Sequence, residues 1–417
     1  MARSALYPPS VKPGIPRLGT KPKGWIETTF GEVLQVIQRP ADVEKHVEYQ
    51  LVTAKRGRGG IVPREKLTGK KILTKIQYYV ATDDFLISKR QIVHGACGVV
   101  PASLNGALVS GEYSVLRVKN GLLLKFLDYF SHTDYFQMAC FQASVGVDVE
   151  KMIFDLKEWL KVKIYLPSIS EQEKIVSVIN TWDKAIAQTE QLIVAKEKVQ
   201  KGLMQQLLTG QVRLPRFNEK WQECHLGDLG FFSKGAGISK SELVQEGIPC
   251  IRYGEIYTTH HFVIKKFHSF IPKEIAANSK QIYAGDILFA GSGETAEEIG
   301  KCVAYIGNEV AYAGGDVIIL RLSKGDPVFM GYLLNNEIVK RQKYRLAQGD
   351  SIVHIYERYL KEIQIPFPPI DEQKEIARAL QGCNDEISLH ERKLSALKQQ
   401  KKVLIQKLIT GQIRVKV

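Results

Sequence analysis

The chain has no run near the ~18 uninterrupted apolar residues that a membrane-spanning helix needs. Its six cysteines, Cys97, Cys140, Cys224, Cys250, Cys302 and Cys383, are scattered, with no Cys-x-x-Cys. That argues against a zinc site or a disulfide framework and favours a reducing cytoplasm. Met1 to Lys23 carries five prolines and no apolar stretch, so it does not read as a signal peptide. Catalytic signatures are missing too. There is no Gly-x-Gly-x-x-Gly and no Gly-x-Ser-x-Gly, and Pro366-Phe367-Pro368-Pro369 lacks the Asn of an Asn-Pro-Pro-Tyr/Phe methyltransferase motif. Gly291-Ser292-Gly293-Glu294-Thr295 lacks the Gly-Lys-Ser/Thr ending of a Walker loop. Glu372-Gln373-Lys374 has a nuclease-like Glu-x-Lys spacing but no suitable acid upstream. His260-His261 and His268 have no Glu-x-x-His context, which argues against metal binding. These absences point to recognition rather than chemistry.

What the chain does have is positive charge. Fifty-eight Lys plus Arg against 44 Asp plus Glu leave +14, an excess that favours a polyanionic partner such as nucleic acid. Its 417 residues suggest two to four domains, with a composition ordinary for a globular protein.

The chain also repeats itself. Pro167-Ser-Ile-Ser-Glu-Gln-Glu returns as Pro368-Pro-Ile-Asp-Glu-Gln-Lys. Thr209-Gly210-Gln211-Val212-Arg213 returns as Thr410-Gly411-Gln412-Ile413-Arg414, at an ungapped offset of 201. A second echo, at 196, relates Trp25 and Phe30-Gly31-Glu32-Val33 to Trp221 and Leu226-Gly227-Asp228-Leu229. The order is therefore globule, helix, globule, helix. The boundaries are an arm at 1–22, globules at 23–166 and 215–367, and helical spacers at 167–214 and 368–417.

Each spacer reads as one long helix with the 4-3 apolar spacing of a coiled-coil seam. The first seam runs through Ile175, Ile179, Trp182, Ile186, Ile193, Leu203 and Leu207. The second runs through Ile376, Leu380, Cys383, Ile387, Leu394, Leu397, Leu404 and Leu408. Thr189, Lys196, Gln200, His390 and Lys401 interrupt them. Ser170 to Glu173 forms a candidate capping box and Asp371 a candidate N-cap. Gly210 and Gly411 mark the helix ends. If each globule enters and leaves near one point, the helices pair antiparallel, with a globule at each end of a rod. Pro16-Arg17-Leu18 resembles Pro215-Arg216-Phe217, so the tail and the arm should rebuild the joint at 211–221, giving a nearly circular, pseudo-two-fold molecule.

The globules read as mixed α/β (α+β). Strand-like runs lie at Ile92–Pro101, Tyr113–Val118, Ile287–Ala290 and Val317–Leu322, and helical stretches near 121–134 and 327–345. Residues 51–100 carry +7 and residues 251–300 carry −1. In the first globule Lys55, Arg56, Arg58, Arg64, Lys66, Lys70, Lys71 and Lys75 form a basic stripe around the loop Arg56-Gly57-Arg58-Gly59-Gly60, suited to a phosphate backbone. Ser88-Lys89-Arg90-Gln91 offers donors for base edges. In the second, the candidate DNA contacts are Lys234, Lys240, Arg252, Tyr253, Lys265, Lys266, Ser292, Thr295, Arg345, Gln348 and Ser351. The bland reading of both sets is a solvated basic surface.

The layout resembles the specificity subunit of type I restriction–modification systems. The resembling residues are Gly24-Trp25 to Val33, Trp221 to Leu229, Gly285-Asp286-Ile287-Leu288, Pro167 to Gln172, Pro368 to Gln373 and both Leu-x-Gln-x-Leu-x-Thr-Gly-Gln-x-Arg helix ends. The resemblance implies two target recognition domains, each reading one half of a split, asymmetric site in double-stranded DNA. It implies helices that act as a spacer and dock two methyltransferase subunits, and restriction subunits that join them. The chain itself would be non-catalytic and bind no cofactor. S-adenosylmethionine, ATP and magnesium would belong to the partner subunits. The alternatives are a diverged stand-alone methyltransferase or nuclease, and a coiled-coil scaffold that binds DNA without specificity.

Overall fold

The computed structural model describes residues 11–74, 76–349 and 352–416. They form two compact units, Met1–Thr189 with Lys393–Val417, and Glu190–Arg392. Both are mixed α/β. The two long helices, α1 (Ile169–Leu207) and α2 (Ile370–Ile409), each contribute one part to either unit.

The first unit has two four-stranded sheets. One is antiparallel, in the order Leu34–Ile37, Tyr113–Val118, Phe85–Ser88, Cys97–Val99. The other runs Ile61–Thr68, Glu48–Ala54, Leu108–Ser110, Gln77–Tyr79, with Glu48–Ala54 parallel to Leu108–Ser110. The second unit repeats this plan. Its first sheet runs Gly230–Lys234, Val317–Leu322, Asp286–Ala290, Cys302–Tyr305, and adds Phe262–Ile264 at the end. Its second runs Ser269–Ile271, Ile248–Ile251, Ala311–Ala313, Lys280–Ile282, again with one parallel pair at the same place. The central strands Phe85–Ser88 and Asp286–Ala290 are buried at every residue, because both faces of the sheet are covered.

Each central strand starts beside a buried carboxylate. Asp84 receives both terminal nitrogens of Arg39, at 2.6 and 3.1 Å, and Nε of Arg117 at 2.9 Å. Asp286 receives Nε and a terminal nitrogen of Arg321 at 3.0 and 2.9 Å. The preceding residue turns left-handed in both, Asp83 at φ +68° and Gly285 at φ +96°. Asp tolerates that region better than most residues, so the same turn survives without glycine.

Two helices complete each globule, Leu124–Phe130 with Asp134–Gln142, and Pro327–Leu333 with Glu337–Leu346. The expected stretch at 327–345 is thus broken in two by the N-cap Asn336, while that at 121–134 holds only the first helix of its pair, and the second, capped by Thr133, runs on beyond it. The Ile92–Pro101 run is likewise a short 3-10 turn followed by the strand Cys97–Val99. In the first core Phe30 stacks on Trp159 at 4.0 Å and meets Phe130 edge-on at 5.7 Å.

Within each unit the start of one long helix lies beside the end of the other, so the helices run antiparallel there. In the first, buried Glu171 accepts from Arg414 Nε and Nη2 at 2.6 and 2.8 Å and from Trp25 Nε1 at 3.2 Å. In the second, buried Glu372 accepts from Arg213 at 2.6 and 2.7 Å and from Trp221 Nε1 at 2.9 Å. Each guanidinium also lies over the indole, at 5.6 and 5.3 Å. The neighbouring glutamines tie helix to globule. Gln172 accepts from Leu123 N and donates to Gly121 O, and Gln373 accepts from Asp326 N. Arg414 also donates to Lys23 O at 2.6 Å, so the tail does rebuild the inner joint against the start of the chain.

The seam residues lie inward as the spacing requires. Ile175, Ile179, Leu207, Ile376, Leu380, Ile387 and Leu408 are buried, while Trp182, Ile186, Leu203, Leu394 and Leu404 are half-buried. Two of the polar interruptions find partners across the helices: Lys401 pairs with Asp183, and Lys196 with Glu386 at 2.7 Å. The capping expectations need correction. Both helices begin two residues earlier than those caps require, at Ile169 and Ile370, and the hydroxyl that accepts from Glu171 N, at 3.3 Å, belongs to Ser168 rather than Ser170. Asp371 lies inside the first turn of α2, where its charge favours the helix dipole without capping it.

Candidate nucleic-acid interface

The strands Glu48–Ala54 and Ile61–Thr68 form the longest hairpin of the first unit, with Ile61–Thr68 at the sheet edge. A register shift between Gln50 and Val52 places Arg64 and Glu65 on a bulge. Arg64 lies 3.2 Å from Glu65 and stays exposed. Lys55, Lys66, Lys70 and Lys71 are exposed, and none pairs with a carboxylate among the described residues. Lys75 lies outside the described residues.

The hairpin tip is held in place. Arg56 donates through Nε to Gln91 at 2.8 Å and through Nη2 to Glu150 at 2.9 Å, and remains half exposed. Arg58 turns inward, which departs from the expected backbone contact. Its Nε donates to Ser131 O at 2.8 Å and its Nη2 to Gln137 Oε1 at 2.6 Å. Burial lowers its pKa from the usual arginine value.

Ser88 is buried in the central strand, opposite Tyr113, and cannot reach a base edge. Lys89 donates to Gly111 O at 2.7 Å, and Arg90 pairs with Glu112 at 2.7 Å. The acids that engage these cations, Glu112 and Glu150, escaped the sequence reading, while Gln91, expected to offer a donor to base edges, accepts from Arg56. Their distance along the chain carries no pattern.

In the second unit the corresponding connection, between Ile248–Ile251 and Ser269–Ile271, contains the helix Tyr253–Thr258 and the strand Phe262–Ile264. Tyr253 and Lys266 are exposed. Arg252 is largely covered, its Nε 3.9 Å from Glu255. Lys265 is taken by Asp385 of α2, another departure from the expected DNA contact. Lys240 is exposed in a 3-10 turn, Thr295 is exposed, and Arg345 is exposed in the last turn of Glu337–Leu346.

Lys234, Ser292 and Tyr356 line one cavity of about 270 Å³. Ser292 is buried and hydrogen-bonds His354 Nδ1 at 2.9 Å, which leaves no hydroxyl on the surface. Gln348 is exposed and donates to Tyr359 Oη at 2.8 Å. Arg358, which the sequence reading missed, lies over Tyr359 and Tyr356 at 4.7 and 5.4 Å. Ser351 lies outside the described residues.

A family model described as the type I restriction modification DNA specificity domain matches residues 22–196 and again 218–399. The chain belongs to that family. A specificity-domain relative, the type I restriction enzyme MjaVIII specificity subunit of Methanocaldococcus jannaschii, is 26% identical over 287 residues. That match covers 64% of this chain and 65% of the relative. The putative MjaX specificity subunit of the same organism is 25% identical over 317 residues, 72% of this chain and 69% of that one. Among solved structures, the HsdS subunit from Thermoanaerobacter tengcongensis superposes with a TM-score of 0.53 at 18% identity, covering 95% of this chain and 99% of that one. The specificity subunit from M. genitalium gives 0.55 at 15% identity, over 95% and 99%. The fold is therefore shared with both solved structures. Among the described residues, no helix is long and apolar enough to cross a membrane.

Proposed function

We propose that this chain is the DNA specificity subunit of a type I restriction–modification complex. Each globule, 23–166 and 215–367, is a target recognition domain that reads one half of a bipartite, asymmetric site in double-stranded DNA. The observation that carries this reading is the duplication itself. Two units share one sheet order and one helix joint, yet carry unlike surface loops. Like frameworks offer two copies of one partner the same docking surface, here two methyltransferase subunits. Unlike loops read unlike sequences. Long helices shared by both units suit half-sites about one DNA turn apart, ~34–36 Å centre to centre.

The chain supplies recognition and no chemistry. The methyltransferase subunits bring S-adenosylmethionine and flip the base, and restriction subunits bring ATP and magnesium. The six unpaired cysteines suit a cytoplasmic setting. The test is methylation of a random-sequence duplex library. With a methyltransferase subunit the chain directs adenine methylation on both strands of one split sequence. Alone it neither methylates DNA nor binds S-adenosylmethionine. Robust methylation by the purified single chain overturns the reading.

A further inference from the structure

Both units hold one cation at the same place in the fold, Lys343 buried and Arg58 half-buried, and they supply it from different elements. The place is the carbonyl that ends the first globule helix, Ser131 O after Leu124–Phe130 and Leu334 O after Pro327–Leu333. A helix C-terminus carries partial negative charge and unpaired carbonyls, so a buried donor with positive charge is stabilised there. In the second unit Lys343 fills the place. Its Nζ donates to Leu334 O at 2.8 Å and to Gly300 O at 2.6 Å. In the first unit Arg58 fills it, with Nε donating to Ser131 O at 2.8 Å and Nη2 to Gln137 at 2.6 Å.

The wall opposite the helix end matches as well. It is a left-handed glycine just before an inner strand, Gly95 at φ +76° and Gly300 at φ +67°. A Cβ on Gly95 would come within 3.2 Å of Arg58 Cγ, and one on Gly300 within 2.9 Å of Lys343 Cδ. The glycines leave room for the cation's stem in both units.

Lys343 is the seventh residue of Glu337–Leu346, and the seventh residue of Asp134–Gln142 is Cys140. Cys140 is fully buried and short. The helix of the first unit therefore offers no cation, and one reaches the socket from the hairpin tip instead. Arg58 pays a conformational price for this, a left-handed φ of +61° in a non-glycine residue. Its own N–H donates to Gly95 O at 3.0 Å, so backbone and side chain are both fixed.

We propose that Arg58 is a positioning residue for DNA reading. It seats the hairpin tip in a core socket, so that Lys55 and Arg56 meet the DNA in one orientation. The second unit fills the equivalent socket from its own helix, and its connection at 252–268 is held by other contacts. This rests on the reading of the first unit as a DNA-reading domain.

The experiment uses the full chain and two variants, Arg58→Ala and Arg58→Ala with Cys140→Lys. The second refills the socket from the helix, as the second unit does. Three quantities are measured: thermal unfolding, amide exchange at residues 55–60, and base preference in each half-site. The last is mapped by methylation of a random duplex library with the methyltransferase partner present. Arg58→Ala should melt earlier, exchange faster at the tip, and lose roughly tenfold preference in one half-site only, the size of one bidentate base contact. The double variant should regain thermal stability yet keep the fast exchange and the lost preference. Restored preference in the double variant would make Arg58 merely structural. Unrecovered stability would show that the sockets are not equivalent. Tip exchange unchanged in Arg58→Ala would overturn the seating. A wild-type complex with no base preference would instead sink the functional reading, while the exchange result would still judge the seating by itself.

Discussion

The two units share a framework and differ in how its polar interior is completed. At the helix joints they agree atom for atom: a buried glutamate, an arginine fork and an indole N–H, once with Glu171, Arg414 and Trp25 and once with Glu372, Arg213 and Trp221. Along the seam they part. In the first unit Asp183 pairs with Lys401 and takes the hydroxyl of Tyr129. At the offset of 201 the second unit has Asn384 and Gln200, a neutral amide pair lining one cavity. A half-exposed ion pair and two neutral amides both specify which helix surfaces meet, but only the first leaves an unpaired charge when one partner is lost. Duplication preserved geometry where the chain must close on itself and left the chemistry free elsewhere.

The joints give the largest expected effect. Arg213→Ala strands a carboxylate with no exposure and should destabilise the chain by about 3–5 kcal/mol in denaturant unfolding. Arg414→Ala should cost less, because Arg414 is more exposed than Arg213, 40% against 27% of the side chain, and water can reach Glu171 once the tail frays. Equal losses would mean that the terminal joint is as closed as the internal one.

The seam comes next. Asp183→Asn leaves Lys401 without its carboxylate and should cost about 1 kcal/mol, since the site is partly open to solvent. Adding Lys401→Gln recreates the neutral pairing of the second unit and should recover most of that loss. A double-mutant cycle measures the coupling directly.

Acid and base should also tell the units apart. Burial lowers the pKa of His132 in the first unit and of His260 in the second, each to about 4, and that of Lys343 in the second to about 8. A folded-state pKa below the unfolded value means that the unfolded chain binds the proton more tightly. Stability is therefore lost as pH falls from 6.5 towards about 4 in both units. Lys343 contributes stability to the second unit as pH rises from about 8 towards 10.5, opposed above 9 by Cys250 and Cys302, which burial pushes up to about 12 and about 11, so Lys343→Met should make that unit lose stability more steeply on the alkaline side. Amide exchange followed separately in each unit across pH checks both windows.

The framework was legible because its signals are local or duplicated. The repeated Glu-Gln pairs and Thr-Gly-Gln-x-Arg endings mark the joints, and helical spacing placed every seam residue inward. Antiparallel pairing followed from connectivity alone. The candidate DNA contacts were legible only as composition. Arg58, Ser88 and Lys265 look like surface donors in the sequence, yet the fold commits them to Ser131, to a buried strand and to Asp385. Those partners lie tens to more than a hundred residues away, and no periodicity links them. The first cap failed by two residues for a simpler reason: Ser168 and Ser170 are equally good capping residues, and geometry chose between them.

The smallest expected effect separates exposed from committed cations. Lys70 stands exposed at the far end of the basic hairpin, with no carboxylate paired to it among the described residues. Lys265 is held by Asp385 on α2. A lysine that meets a phosphate releases about one counterion, so its loss lowers the salt slope of binding by ~0.9. Lys70→Ala should therefore flatten the dependence of DNA affinity on salt by about that amount and weaken binding alike for every sequence. Lys265→Ala should leave the slope nearly unchanged, because its charge is already paired with the carboxylate of Asp385. Affinities at several salt concentrations, on matched and random duplexes, give both slopes. If Lys265→Ala flattened the slope as much as Lys70→Ala, the pair with Asp385 would have to open on DNA. The second unit would then lend the complex a cation that its free structure keeps against the helix.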